Sequence, residues 1–263
     1  MWGAIIGDLA GSIYEYQQYK KVSIVSVGEK LITNKSFFTD DSILTIAIYD
    51  AILSGKSFEE CLRQYGHKYR DYKPRADCEH FQTAFGGRFI KWLDGIGDSK
   101  SIGNGAMMRI SGVGKMFNTE EEVIEQARLA TVPSHNSIEA VECSRIVALV
   151  IFYARMGFSK EEIFDKIGFK TVEYRPFEHF NKTCYETLEN CLCVVFNASN
   201  FEHALKNAIE MGGDTDTNGA IVGAMAEALY GVPEYLTRQA RKFIPVRFSR
   251  ILDKAYDAER RVF

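Results

Sequence analysis

Thr39, Asp40, Asp41 and Ser42 are consecutive, and near the other end of the chain Asp214 and Asp216 alternate with Thr215 and Thr217. Each set stands directly before an apolar run, "ILTIAIYDAIL" in one case and "NGAIVGAMAEAL" in the other. Ser, Thr and Asp are preferred helix caps, and carboxylates in a first turn gain about 0.3–1 kcal/mol from the helix dipole. Capping explains one hydroxyl and one acid at each end. It leaves the second of each unexplained, because one cap suffices and neighbouring carboxylates repel. If the two ends meet, four carboxylates share a pocket, a strongly destabilising arrangement unless cations neutralise it. Carboxylate and hydroxyl oxygens are hard ligands suited to Mg²⁺, Mn²⁺ or Ca²⁺ rather than zinc, and no adjacent His or Cys offers an alternative. Two ions sharing a bridging carboxylate fit acids supplied from two helix ends. The helix dipoles oppose a cation, which favours a labile, water-rich site. Periodicity leaves open whether the ends meet.

Helices must position these acids, and helical signals dominate the chain. Ser57/Glu60, Thr119/Glu122, Ser159/Glu162 and Ser199/Glu202 each place a hydroxyl three residues before a carboxylate, the pattern of a capping box. Apolar residues then recur at helical spacing, as in "EEVIEQARLA" and "FEHALKNAI". Ile138 to Met156 is apolar around most of its circumference, which predicts a central buried helix. Lys21 to Glu29 alternates weakly and has no partner at hairpin distance, so it reads as a loop. Gly3, Gly7 and Gly11 recur every fourth residue, as do Gly219 and Gly223 beside Ala220, Ala224 and Ala228. Such rows line one helix face and admit another backbone closely. Each Gly costs about 1 kcal/mol of helix propensity against Ala, so packing or function must compensate. The expected architecture is all-α, one compact helical domain over residues 1–263.

Composition narrows the function classes. The 263 residues are 46% hydrophobic and 25% charged with a net charge of −3, an ordinary globular balance without the basic excess of a nucleic-acid surface. The apolar N-terminus lacks a basic leader and is interrupted by Asp8, and no uncharged stretch is long enough to span a membrane. Cys61, Cys78, Cys143, Cys184, Cys191 and Cys193 form neither a zinc pattern nor a disulfide framework, which points to a reducing cytoplasm. A monomer is the default expectation.

The segments "GAIIGDLAGSIYE", "FFTDDS", "GNGAMMR", "SHNSIEA" and "GGDTDT" occur in this chain in the order found in the ADP-ribosylglycohydrolases, and the chain resembles that family from near residue 3 to about Pro233. The resemblance implies a compact all-α fold with a binuclear cleft holding two Mg²⁺ ions, or Mn²⁺ in some members. It implies Thr39, Asp40 and Asp41 as ligands from one side and Asp214, Asp216 and Thr217 from the other. Glu15, with Asp41, would be a catalytic carboxylate. Ser101, Gly103, Asn104 and Gly105 would hold the diphosphate and ribose, the loop offering backbone N–H groups, and His135 would lie near bound ADP-ribose. Read without the family, Glu15 is a solvated acid, the Gly103–Gly105 stretch an ordinary turn and His135 a loop residue. Ile102 stands where the family commonly has an aromatic ring against the nucleotide, so adenine is expected either to stack elsewhere, with Phe85, Phe89 and Trp92 as candidates, or to bind more weakly. Asn136 is followed by Ser137 and Ile138 where many bacterial members read His-Pro, and Ser42 replaces a common Thr.

The implied activity is metal-dependent hydrolysis of the glycosidic bond between ADP-ribose and a protein side chain or small-molecule acceptor, through an oxocarbenium-like transition state. Two alternatives are an inactive module that binds ADP-ribose or a nucleotide, and a metal-dependent nucleotide phosphohydrolase. An inactive module is expected to have lost metal carboxylates, and this chain keeps all four. A phosphohydrolase of helical type is expected to show His-Asp pairs or acidic repeats, which are absent.

Overall fold

The computed structural model describes residues 1–74, 83–169 and 175–259, and Cys78 lies outside them. The described residues form helices and no strand. In chain order the helices are α1 (Trp2–Lys20), α2 (Asp40–Ser54), α3 (Phe58–Lys68), α4 (Gly87–Leu93), α5 (Gly105–Met108), α6 (Ser111–Met116), α7 (Glu120–Thr131), α8 (Ile138–Arg155), α9 (Lys160–Ile167), α10 (Cys184–Asn197), α11 (Phe201–Glu210), α12 (Thr215–Tyr230), α13 (Glu234–Ala240) and α14 (Val246–Glu259).

The glycine rows explain the centre. α1 and α12 run antiparallel, with Gly3 against Gly223, Gly7 against Gly219 and Gly11 against Thr215. A Cβ added at Gly7 would fall 1.9 Å from the Gly219 carbonyl oxygen, and one at Gly3 would fall 2.0 Å from that of Gly223. Two backbones touch here, an approach that no other residue permits. The residues behind the glycines on α12, Ala220, Ile221, Val222 and Ala224, are buried, so this helix is enclosed on all sides.

Capping chemistry sets most of the other helix starts. Thr119 and Ser159 open α7 and α9 with both halves of the capping box, and Ser57 opens α3 by accepting from Glu60 N–H at 3.1 Å. Ser199 does not cap α11. Asn200 does, accepting from His203 N–H at 2.9 Å, because an Asn one position later offers an equally good acceptor. A box that the sequence reading passed over opens α10, where Glu186 accepts from Thr183 N–H at 2.7 Å. α8 is central as expected and packs on α6, α7 and α12, although Ile138 at its start is 79% exposed. Residues 22–29 form a loop, as expected, which anchors by burying Val25 and Val27. Apolar side chains from helices along the whole chain merge into one cluster, with Phe37 and Tyr16 in a small satellite. No helix among the described residues is long and apolar enough to cross a membrane.

Candidate metal centre and substrate cleft

Thr39 caps α2 by accepting from Asp41 N–H at 3.3 Å, and Asp40 and Asp41 occupy the first turn. Asp214 sits at the N-cap of α12, with Asp216 in its first turn. The two helix ends meet, since Thr217 Oγ1 lies 3.4 Å from Asp41 Oδ2. α1 brings a further acid. Asp8, fully buried, accepts from Thr39 N–H at 3.0 Å, from Ser42 N–H at 3.1 Å and from the Ser42 hydroxyl. It therefore caps α2 from a neighbouring helix. Sequence reasoning treated Asp8 only as an interruption of an apolar segment. The available signal was a lone acid in a helix otherwise fit for burial, which requires partners.

One carboxylate oxygen each from Asp8, Asp41 and Asp216 lies within 4.8 Å of the other two, and the same holds for Glu15, Asp214 and Asp216. Asp216 belongs to both groups. Thr215, between the two acids, instead ties the helices together by donating its hydroxyl to Gly11 O at 2.9 Å.

Burial is the main reason these acids hold protons unusually tightly, and mutual repulsion adds to it. The Asp8 carboxyl is pushed up to about 7 by burial and then by Asp216. Glu15, Asp40 and Asp41 are raised well above the ordinary carboxylate range for the same two reasons, and Asp216 by burial and then by Asp214. Asp41 Oδ1 and Asp216 Oδ1 are buried without any hydrogen-bond donor. A buried acceptor left unmet costs about 1–3 kcal/mol, more when charged, and a divalent cation would meet both. The donor set is all oxygen and fits a hard cation.

The sign of the pH dependence follows. A carboxyl whose pKa is higher in the folded than in the unfolded protein stabilises the fold below its unfolded value, and that contribution disappears as pH rises through the folded value. For Asp8 the window runs from 3.8 to about 7. We expect the chelator-treated protein to melt at a higher temperature near about pH 6 than near about pH 8, and a divalent cation to narrow the gap. Calorimetry in the two buffers checks this, and a melting point that rises with pH in chelator would contradict it.

A cleft of about 620 Å³ opens over these acids, and all twelve residues that the sequence suggested as metal ligands, catalytic acids or contacts to ADP-ribose line it. Asn104 Nδ2 donates to Asp214 Oδ2 at 2.7 Å, and Asn181 Oδ1 accepts from Asp214 N–H at 2.8 Å, so one buried amide holds the carboxylate and a second fixes the backbone that bears it. The expected backbone cradle at residues 103–105 needs correction. Gly103 N–H already donates to Ser101 Oγ at 3.1 Å, and Asn104 N–H to Lys182 O at 2.9 Å. His135 is buried beside this turn, with its basicity lowered by burial and then by Arg109 and Arg88.

Of the rings expected to receive an adenine, Phe85 and Phe89 line the cleft, stacked on each other at 5.1 Å. Trp92 does not line it and carries the Arg63 guanidinium 4.1 Å above its ring. Tyr19 and Phe180 also line the cleft, edge to face at 5.2 Å, with Lys182 Nζ 4.9 Å from the Tyr19 ring. This group comes from segments far apart in the chain and had no sequence signature.

A family model described as ADP-ribosylglycohydrolase matches residues 1–261. The chain is 26% identical over 272 residues to the ADP-ribosylarginine hydrolase Tri1 of Pseudomonas putida (strain GB-1), covering 90% of this chain and 72% of that one. It is 23% identical to the ADP-ribosylhydrolase ARH3 of Mus musculus, covering 88% and 83%. A solved structure described as an ADP-ribosylglycohydrolase-related protein complex superposes with a TM-score of 0.70 at 22% identity, over 98% of this chain and 92% of that chain.

Proposed function

The chain belongs to the ADP-ribosylglycohydrolase family, and from that premise we propose that it is a metal-dependent hydrolase releasing ADP-ribose from an ADP-ribosylated protein or small molecule. The observation that carries this reading is the meeting of two Asp/Thr helix starts at Asp216, at the base of a cleft large enough for a nucleotide sugar. Asp8, Asp41 and Asp216 would hold one divalent ion, and Glu15, Asp214 and Asp216 a second, with Thr39 and Thr217 as hydroxyl donors beside them. Such ions, Mg²⁺ or Mn²⁺, supply Lewis-acid chemistry when bound, anchoring sugar hydroxyls and lowering the pKa of water.

The side chains do the rest. The bond to break joins C1″ of the distal ribose to the acceptor, and water supplies the incoming oxygen. Glu15 offers one oxygen toward Asp214 and Asp216, which leaves its second to take a proton from water or return one to the leaving group. Carboxylates around C1″, Asp41 among them, stabilise the positive charge that develops on the ribose. Asn104 and Asn181 hold Asp214 in place, so the sugar is oriented by groups that need not reorganise. Binding energy from the nucleotide half, gathered along residues 101–105 and at His135, positions the reacting carbon.

We further propose one domain, acting as a monomer in the cytoplasm. The described cysteines are thiols, in keeping with a reducing compartment. The test is a panel of substrates with ADP-ribose attached through arginine, serine, a nucleobase or a small metabolite, each with Mg²⁺ and with chelator. We expect free ADP-ribose from at least one linkage in Mg²⁺ and none in chelator. Absence of product from every linkage would favour a binding module, and AMP a phosphohydrolase.

A further inference from the structure

Arg109 is fully buried, and its Nη2 donates to Ser134 Oγ at 2.8 Å and to Ala130 O at 3.2 Å. Ser134 Oγ also lies 2.9 Å from His135 Nδ1. A guanidinium has donors only, so the serine oxygen accepts from Arg109 and its own proton remains to be placed. Among the described residues His135 Nδ1 is the acceptor in reach of that hydroxyl. Nδ1 is then the lone-pair nitrogen, and in a neutral imidazole the ring proton sits on Nε2. The buried positive charge of Arg109 disfavours a second proton on the ring.

The other face of the ring looks onto the glycine turn. A Cβ built on Gly103 would lie 3.5 Å from His135 Nε2, and one on Gly105 3.8 Å. Two N–H groups of that turn are already taken by Ser101 Oγ and Lys182 O. The backbone that carries the ring is anchored, because His135 N–H donates to Thr131 O at 3.0 Å and the residue bridges to Lys100.

We propose that Arg109 and Ser134 are positioning residues that hold His135 as the neutral Nε2–H tautomer, so that it donates a hydrogen bond to an anionic oxygen at the Gly103–Gly105 turn and does not act as a proton acceptor. In the cleft of an ADP-ribose hydrolase that oxygen belongs to the diphosphate, a consequence that rests on the function proposed above; the tautomer itself does not.

Long-range ¹H–¹⁵N correlation spectra of the substrate-free protein read the tautomer directly. The chain has five histidines, and a His135→Gln variant identifies the resonance. We expect protonated Nε2 and bare Nδ1 at neutral pH; an Nδ1–H tautomer or an imidazolium overturns the proposal. In Ser134→Ala the Nδ1–H form should appear and ADP-ribose should bind about tenfold more weakly, the scale of one charge-assisted hydrogen bond. Ser134→Thr, which keeps the hydroxyl, should restore both. A Ser134→Ala protein with the wild-type spectrum and affinity also overturns it. Wild-type protein that fails to bind ADP-ribose refutes the functional reading instead, and the tautomer is still decided by its own spectrum.

Discussion

Asp216→Asn should lower metal-dependent release of ADP-ribose by about a thousandfold or more, while the protein remains folded. Asp216 alone belongs to both carboxylate groups, so the change weakens both candidate ion sites at once. Asparagine keeps the shape and one oxygen but removes the charge that attracts a divalent cation. The folding consequence has the opposite sign. Asp216 raises the proton affinity of Asp8, Glu15, Asp40 and Asp41, and removing its charge relieves all four. In chelator near about pH 8, Asp216→Asn should therefore melt at a higher temperature than wild type, and added Mg²⁺ should stabilise it far less. Loss of turnover with a raised chelator melting point separates a metal ligand from a structural acid. Full activity in this variant would remove the basis of the proposed mechanism.

Much of this site could be read from residue types alone, because its parts are local. Thr39-Asp40-Asp41 and Asp214-Thr215-Asp216-Thr217 carry more acid and hydroxyl than a helix start can use, and an excess at two places implies a common purpose. The described structure brings those two places together. Asp8 escaped notice because its partners, Thr39 and Ser42, are local to each other but remote from it. The roles of Asn181 and Arg109 are likewise tertiary. An asparagine in a loop and an arginine after "GNGAMM" look like surface residues until burial turns them to partners inside the protein, Asp214 among those of Asn181 and Ser134 among those of Arg109. The same distinction governs the helices. Capping boxes at Thr119 and Ser159 declare themselves within four residues, whereas Ser199 and Asn200 compete for one cap and only the chain path decides. Loop 101–105 shows the converse error. Its glycines suggested a ring of backbone donors, yet Ser101 Oγ takes the N–H of Gly103 and Lys182 O that of Asn104.

The glycine rows connect fold to site, and Gly7→Ala should destabilise the protein by about 4 kcal/mol or more. An added Cβ would meet Gly219 O at 1.9 Å, Gly219 C at 2.2 Å and Ala220 N at 2.7 Å. All three are backbone atoms, so no rotamer change relieves the clash and the helices must separate. α1 carries Asp8 and Glu15, and α12 carries Asp214 and Asp216, so any separation also pulls the two carboxylate groups apart. The expected result is a melting temperature lower by about 10 °C or more, or failure to accumulate as soluble protein, for a change of one methyl group. Gly28→Ala is the matched control, because a Cβ there meets nothing within 4 Å. It should melt like wild type. If Gly7→Ala folds at all, its activity should fall further than its stability explains, since the donor atoms move with the backbone that bears them. A Gly7→Ala protein with wild-type melting and turnover would show that α1 and α12 do not touch through these glycines, and that the site is assembled by other contacts.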